Sequence, residues 1–224
     1  LHIGIIGAIE NEISPLLKVM NDVKIEKRAM LNFHVGKYRD VEVVALFCGV
    51  CKVNAAIAAQ ILIDKYCVTH IIVAGVAGAI DEKLHIYDTV ISSDVVYHDV
   101  AEGILTEYHP WIKSIFFAAD EGMLDGITKA NQDDDSVLVG RIATGESFIT
   151  QDGREEIIEK CNPQCVDMET ASVAHVCYVN SVPFVAIRSM SDTPHESGND
   201  AFEKYCLGAA EKSVKVLLRY MDSI

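Results

Sequence analysis

Carboxylates stand at three points where apolar runs of this sequence give way to helix-like stretches. Glu10 and Glu12 follow the first run (GIIGAIENE, residues 4–12). Asp167 and Glu169, one methionine apart, follow a short β-branched approach (QCVDMETASVAHV, 164–176). Asp192 follows a longer apolar run, with Ser191 beside it and Arg188 four residues earlier (FVAIRSMSDTPHES, 184–197). Acids at such junctions can cap a helix or complement its dipole. They can also balance a cation lying close to an apolar run, or handle protons on a bound ligand. A fourth stretch, TGESFITQDG (144–153), puts Phe148 and Ile149 after small polar residues. An aromatic there, beside exposed backbone amides, could stack a flat heterocycle and read its edge, or simply turn into the core.

Other chemistries lack their residues. Gly4 and Gly7 do not make the dinucleotide fingerprint, and neither a phosphate-binding P-loop nor a Gly-x-Ser-x-Gly elbow occurs. The eight histidines form no metal-binding pattern, and His175, inside an Ala/Val-rich run, reads as a packed core residue. His98-Asp99 reads as a dyad or as a turn. Cys48-Gly-Val-Cys51 has redox spacing without the redox context, and seven cysteines, an odd number, suit reduced and mostly buried thiols.

The elements that must position these acids are legible in the hydrophobic pattern. Ile/Val-rich runs at 2–9, 41–47, 70–76, 89–96, 136–143 and 183–190 predict strands. Stretches at 11–20, 52–66, 120–131, 153–160, 169–180 and 200–220 predict helices between many of them. Strands alternating with helices, and strands apolar on both faces, predict a single α/β domain over residues 1–224 with a largely parallel or mixed sheet. VAGVAGAI (73–80) reads as a strand entering a glycine turn, or as backbone in close approach to a ligand. Residues 97–117 read as a long surface excursion.

Composition bounds the partners. Half of the residues are hydrophobic, but no run is long enough to predict a membrane span, and no leader pattern opens the chain, so a cytoplasmic protein is expected. Nineteen basic against 33 acidic residues give a net charge of −14, which repels nucleic acid.

Taken in order, GIIGAIENE, CGVCKVNAA, VAGVAGA, YHD, GESFI, VDMETASVAHVC, PFVAIRSMSD and FEKY resemble the 5′-methylthioadenosine/S-adenosylhomocysteine nucleosidases of the nucleoside phosphorylase/hydrolase superfamily. The resemblance runs nearly end to end. It implies one α/β domain with a central mixed sheet flanked by helices, assembled as a homodimer. It also implies hydrolysis of an adenine N-glycosidic bond without metal or organic cofactor. By the same resemblance Glu12 activates the attacking water, Glu169 grips the ribose hydroxyls and Asp192 protonates adenine N7. Phe148 stacks on adenine, backbone at Ile149 reads the purine edge, and Met168 and Arg188 lie close to the ribose and the water; Ser191, beside Asp192 at the strand end, is a further candidate for substrate binding. Ile9, Val50 and Phe202 line the 5′-alkylthio pocket. Asp167 is left as a structural or capping acid.

The chain also departs from the family pattern. Val76 replaces a serine near the ribose, and Cys51 replaces a glycine. In 101–105, Glu102 and Leu105 stand where the family places a valine and a phenylalanine that reach into the partner subunit's 5′ pocket. A phosphorolytic relative is the nearest rival. It needs a cluster of cations, whereas the six arginines (28, 39, 141, 154, 188 and 219) avoid the first glycine loop, where Glu12 stands. Nucleosidases for futalosine-type compounds or adenosine, and a non-catalytic binder, are the remaining alternatives.

Overall fold

A computed structural model describes residues 1–224 apart from 102, 110, 151 and 197. In chain order the elements are β1 (His2–Gly7), α1 (Glu10–Leu17), β2 (Asn21–Arg28), β3 (Leu31–Tyr38), β4 (Val41–Phe47), α2 (Lys52–Tyr66), β5 (His70–Ala79) and β6 (Thr89–Tyr97). There follow α3 (Ile104–Tyr108), β7 (Phe116–Ala118), α4 (Glu121–Ala130), β8 (Val137–Thr144), α5 (Arg154–Cys161), β9 (Cys165–Asp167), α6 (Thr170–Asn180), β10 (Phe184–Asp192) and α7 (Asn199–Met221). The predicted α/β domain with a mixed sheet is the fold observed.

The sheet runs β10-β6-β8-β9-β5-β1-β4-β3-β2, and β10 also pairs with β5. That second pairing closes β5, β10, β6, β8 and β9 into a ring, while β1, β4, β3 and β2 extend from it as an open sheet. The pairs β1–β4, β1–β5, β5–β10, β6–β8 and β8–β9 are parallel, whereas β5–β9 and β6–β10 are antiparallel. Helices cover both faces. One core layer holds Leu46, Ala58, Leu62, Val73 and Ala174, and the other holds Ile5, Ile13, Val43, Ile72, Val185 and Leu217. Burial on both sides is why the central strands read as unbroken apolar runs.

Three features differ from the sequence reading. The hairpin β2–β3 was not visible, because β2 is an exposed edge strand whose two apolar residues, Val23 and Ile25, stand among charged and polar ones. Its turn uses Ala29 and Met30 at φ 47° and 64° in place of the Asn-Gly pair that usually marks such turns. Second, β5 does not turn at its glycines but continues to Ala79. Third, the excursion at 97–117 carries the short α3 and leads into β7. His175 is half-buried, stacks on Phe117 at 5.1 Å, and has Nδ1 3.4 Å from the Tyr97 hydroxyl.

Candidate active site

The glycines of β5 explain how the acids come together. A Cβ on Gly75 would collide with Glu12 Oε1 and lie 2.6 Å from Arg188 Nη1, and one on Gly78 would lie 2.8 Å from Asp192 Oδ2. Only a bare backbone lets side chains from α1 and β10 lie across this strand. The VAGVAGAI backbone is thus closely approached by the protein's own acids, and its Val76, Ala77 and Gly78 also line the cleft described below.

Glu12 occupies the third position of α1 and is 1% exposed. Its Oε2 accepts from the Ala8 and Ile9 amides, the latter at 3.0 Å, and its Oε1 accepts from the Val76 amide at 2.7 Å. Arg188, with no exposed surface, stands behind it on β10. Its Nη1 lies 3.3 Å from Glu12 Oε1, and its Nη2 lies 2.7 Å from Asp167 Oδ2 and 3.2 Å from Glu169 Oε2. One buried cation thus serves three buried acids, which hold the guanidinium charged despite the cost of its burial.

Asp167 and Glu169 divide as β9 passes into α6. Asp167 accepts from the Thr144 hydroxyl at 2.5 Å, from the Thr170 amide at 3.2 Å and from the Thr170 hydroxyl. These bonds tie it to the start of the helix. Glu169 turns outward, and its Oε1 accepts from the Cys51 amide at 2.9 Å. Burial, opposed by the Arg188 charge and reinforced by Asp167 and Glu12, pushes the Glu169 carboxyl up to about 7. Cys51 presents its amide from φ 87° and ψ 160°, a conformation that favours glycine. The thiol of Cys48 is pushed up to about 12 by burial and by Glu169, which disfavours the thiolate that disulfide exchange needs, and all seven cysteines are free.

Asp192 ends β10, where a register shift against β5 between Met190 and Asp192 swings it inward. It is 1% exposed; Oδ1 accepts from the Ser191 hydroxyl at 3.0 Å, while Oδ2 is buried without a hydrogen-bond partner. Burial raises its pKa. The sequence offered a helix cap as the bland role for this residue, but α7 starts only at Asn199.

These groups face one cleft of about 260 Å³. Glu12, Asp167, Glu169 and Asp192 line it with Ile9, Val50, Val76, Phe148, Ile149, Met168, Ser191 and Phe202. Phe148, 40% exposed, meets Phe202 edge-to-face at 6.1 Å at its rim. Val76 sits in an apolar group with Cys206, Ala209 and Ala210, against which Ile9 and Phe202 pack. Leu105 does not line the cleft of its own chain; it faces a separate hollow with Tyr97, Val100 and Ile115. Glu102 lies outside the described residues. Ser147 and Asn199 also line the cleft, and nothing in their sequence context singled them out. Among the described residues no group of three or more His, Cys, Asp or Glu side chains is arranged to hold a metal.

Comparison with known proteins places the whole chain in a family. The model of the phosphorylase superfamily matches residues 2–222. The chain is 35% identical to the 5′-methylthioadenosine/S-adenosylhomocysteine nucleosidase of Maridesulfovibrio salexigens and 33% identical to that of Bacillus subtilis, each over the full length of both chains. The S-adenosylhomocysteine nucleosidase of Streptococcus pyogenes, solved with 5-methylthiotubericidin, superposes with a TM-score of 0.92 at 27% identity, covering 100% of this chain and 97% of its own. Futalosine hydrolase of Helicobacter pylori superposes with a TM-score of 0.91 at 28% identity, covering 100% and 98%. By fold and by full-length identity, the chain belongs to the phosphorylase superfamily and, within it, to the family of 5′-methylthioadenosine/S-adenosylhomocysteine nucleosidases.

Proposed function

We propose that this protein hydrolyses the N-glycosidic bond of 5′-methylthioadenosine or S-adenosylhomocysteine, releasing adenine and the 5-thio-substituted ribose. One observation carries the choice of water over phosphate. The described residues lining the cleft include four acids and no lysine, arginine or histidine. Arg188 lies behind those acids with its charge already matched, so a phosphate dianion would meet only repulsion.

The chemistry follows from placement. Phe148 covers the face of the base, and backbone at Ile149 meets its edge. Glu169 accepts from the ribose hydroxyls and favours positive charge growing at C1′. Asp192, protonated, gives its proton to N7 as the C1′–N9 bond breaks and its electron pair moves onto adenine. Water adds to C1′ from the opposite face and yields its proton to Glu12. An acid and a base on opposite sides of an oxocarbenium-like centre are the minimum set for such a bond, and no cofactor enters. The apolar surface of Ile9, Val50, Val76 and Phe202 suits a thioalkyl group, with Met168 beside the sugar.

We assign a homodimer in which Leu105 of each subunit lies against the partner's 5′ pocket. Exposed apolar side chains support it: Val53 and Ile57 on α2, Tyr178 and Val179 on α6, and Trp111, whose carbonyl accepts from Tyr178 at 3.0 Å. A cytoplasmic setting fits seven unpaired thiols and the absence, among the described residues, of a helix long and apolar enough to cross a membrane.

The test is hydrolysis of methylthioadenosine with and without phosphate, comparing rates for adenosylhomocysteine, adenosine and a futalosine-type nucleoside. Free 5-thio-ribose at a phosphate-independent rate is expected. A phosphate requirement with a ribose 1-phosphate product overturns hydrolysis, and preference for the futalosine-type nucleoside overturns the substrate assignment.

A further inference from the structure

Arg154 opens α5 and is 7% exposed, yet no acid lies within ion-pair distance of it among the described residues. Among the described residues its Nη1 reaches the Ile80 carbonyl, at 3.5 Å, and its Nε is buried without a partner. A guanidinium so desolvated needs an opposite charge nearby. The nearest route to one runs along β5. Ile80 follows that strand, and Gly78, two residues earlier and on the same face, is the residue against which the unpartnered Asp192 Oδ2 lies. The structure therefore holds two buried, unmatched polar atoms of opposite charge behind one wall of the cleft.

We propose that Arg154 is a positioning residue for the reaction: its charge stabilises the Asp192 carboxylate left when the proton passes to the leaving base, and so sets how readily that proton is given. The inference rests on the reading of Asp192 as the proton donor. The surroundings of Asp192 leave Arg154 as the cation acting on it. The β5 residues facing it, Ala77 and Gly78, are uncharged, as are Asn199 and Phe202 of α7. On β9, Cys165 is kept neutral by burial, and Asp167 is already paired with Arg188. Glu12 and Glu169 share that same Arg188. Of the remaining acids, exposed Glu82 faces Arg154 itself, and the Arg154 charge opposes the upward effect of burial on Asp192. The arrangement balances two needs. Burial keeps the proton on Asp192, and the cation prevents burial from holding it there.

The experiment is the pH dependence of kcat/KM for Arg154→Met, Arg154→Lys and Asp192→Asn. Arg154→Met should move the alkaline limb, where protonated Asp192 is lost, upward by about one pH unit, with a fall in kcat larger than any change in KM. Arg154→Lys should hold the limb near its original position. A uniform loss at every pH with an unmoved limb in Arg154→Met overturns the proposal and leaves a purely structural arginine. Should Arg154→Met not fold, Arg154→Gln, which keeps a donor for the Ile80 carbonyl without the charge, makes the same test: the limb moves up, and an unmoved limb counts against the proposal equally. Full activity in Asp192→Asn overturns the proton-donor reading itself. An inactive Asp192→Asn with an unmoved Arg154→Met limb removes only the inference about Arg154.

Discussion

Arg188 and Glu12, 176 residues apart in sequence, meet with Nη1 3.3 Å from Oε1 and with neither side chain exposed by more than 1%. The same guanidinium also reaches Asp167 and Glu169, so the cleft is an acidic cluster built around one cation. Removing one member from such a cluster acts differently according to which member goes.

Arg188→Met leaves three buried acids without their cation. Breaking a buried pair on one side costs about 3–5 kcal/mol. Urea denaturation should show a loss of that size together with loss of activity, and a stability within 1 kcal/mol of the parent, roughly the scatter of surface substitutions, would contradict this account of the cluster.

Glu12→Gln keeps the shape but cannot accept a proton from water, and its amide nitrogen must face N–H donors, because both Glu12 oxygens accept from them. The expected result is a fall in kcat of roughly 10²–10⁴-fold with little change in KM, accompanied by a lower melting temperature. A variant that turns over normally would show that some other base activates the water.

Asp192→Asn removes the proton offered to the leaving base while keeping the Ser191 contact within reach. Turnover should be abolished, and adenine should still bind when titrated by calorimetry. Retained turnover would place the leaving-group proton elsewhere.

Glu169, with its carboxyl near 7, makes activity and stability pull in opposite directions. The ionised form is needed to accept from two ribose hydroxyls, so kcat/KM should decline as the pH falls below about 7. For the fold the sign is reversed. The folded pKa lies above the unfolded value of 4.5, so this group's contribution is fully present below 4.5 and lost as pH rises through about 7. Glu169→Gln should therefore be more stable than the parent at pH 8, by on the order of 2 kcal/mol, while losing substrate affinity. Equal melting temperatures at pH 8 would argue against a strained carboxylate.

Cys51→Gly tests the backbone that hands an amide to Glu169. The φ of 87° and ψ of 160° belong to a region nearly reserved for glycine, at a cost of order 1–3 kcal/mol for another residue. Part of that gain is offset by the freer unfolded chain. A net stabilisation of about 1 kcal/mol with activity retained is expected, measured by thermal unfolding. A destabilised variant would mean that the Cys51 side chain contributes more than its backbone loses.

Much of this protein was legible in its residues. Strands buried on both faces must be apolar throughout, so the central strands and the helices between them could be located from hydrophobic runs alone. What escaped was the β2–β3 hairpin and the short β7, although Phe33 and Phe117 within them are core residues. β2 is exposed along its whole length, and its turn at Ala29–Met30 carries no turn signature. The glycines of β5 looked like a turn because nothing in a linear pattern shows that α1 and β10 lay carboxylates across them.

The site divides in the same way. The sequence by itself determined which acids were present, their place at strand ends, and a family pattern joining Glu12, Glu169 and Asp192. Only the tertiary structure decided their relations. Asp167 turns back to the first residues of α6 and Glu169 does not, although they are two residues apart, because the helix start claims one and the Cys51 amide claims the other. Arg188 gathers three of the acids, and Arg154 stands behind the fourth. Charges this far apart in the chain interact only once burial has removed the water between them, and burial is a property of the packed fold.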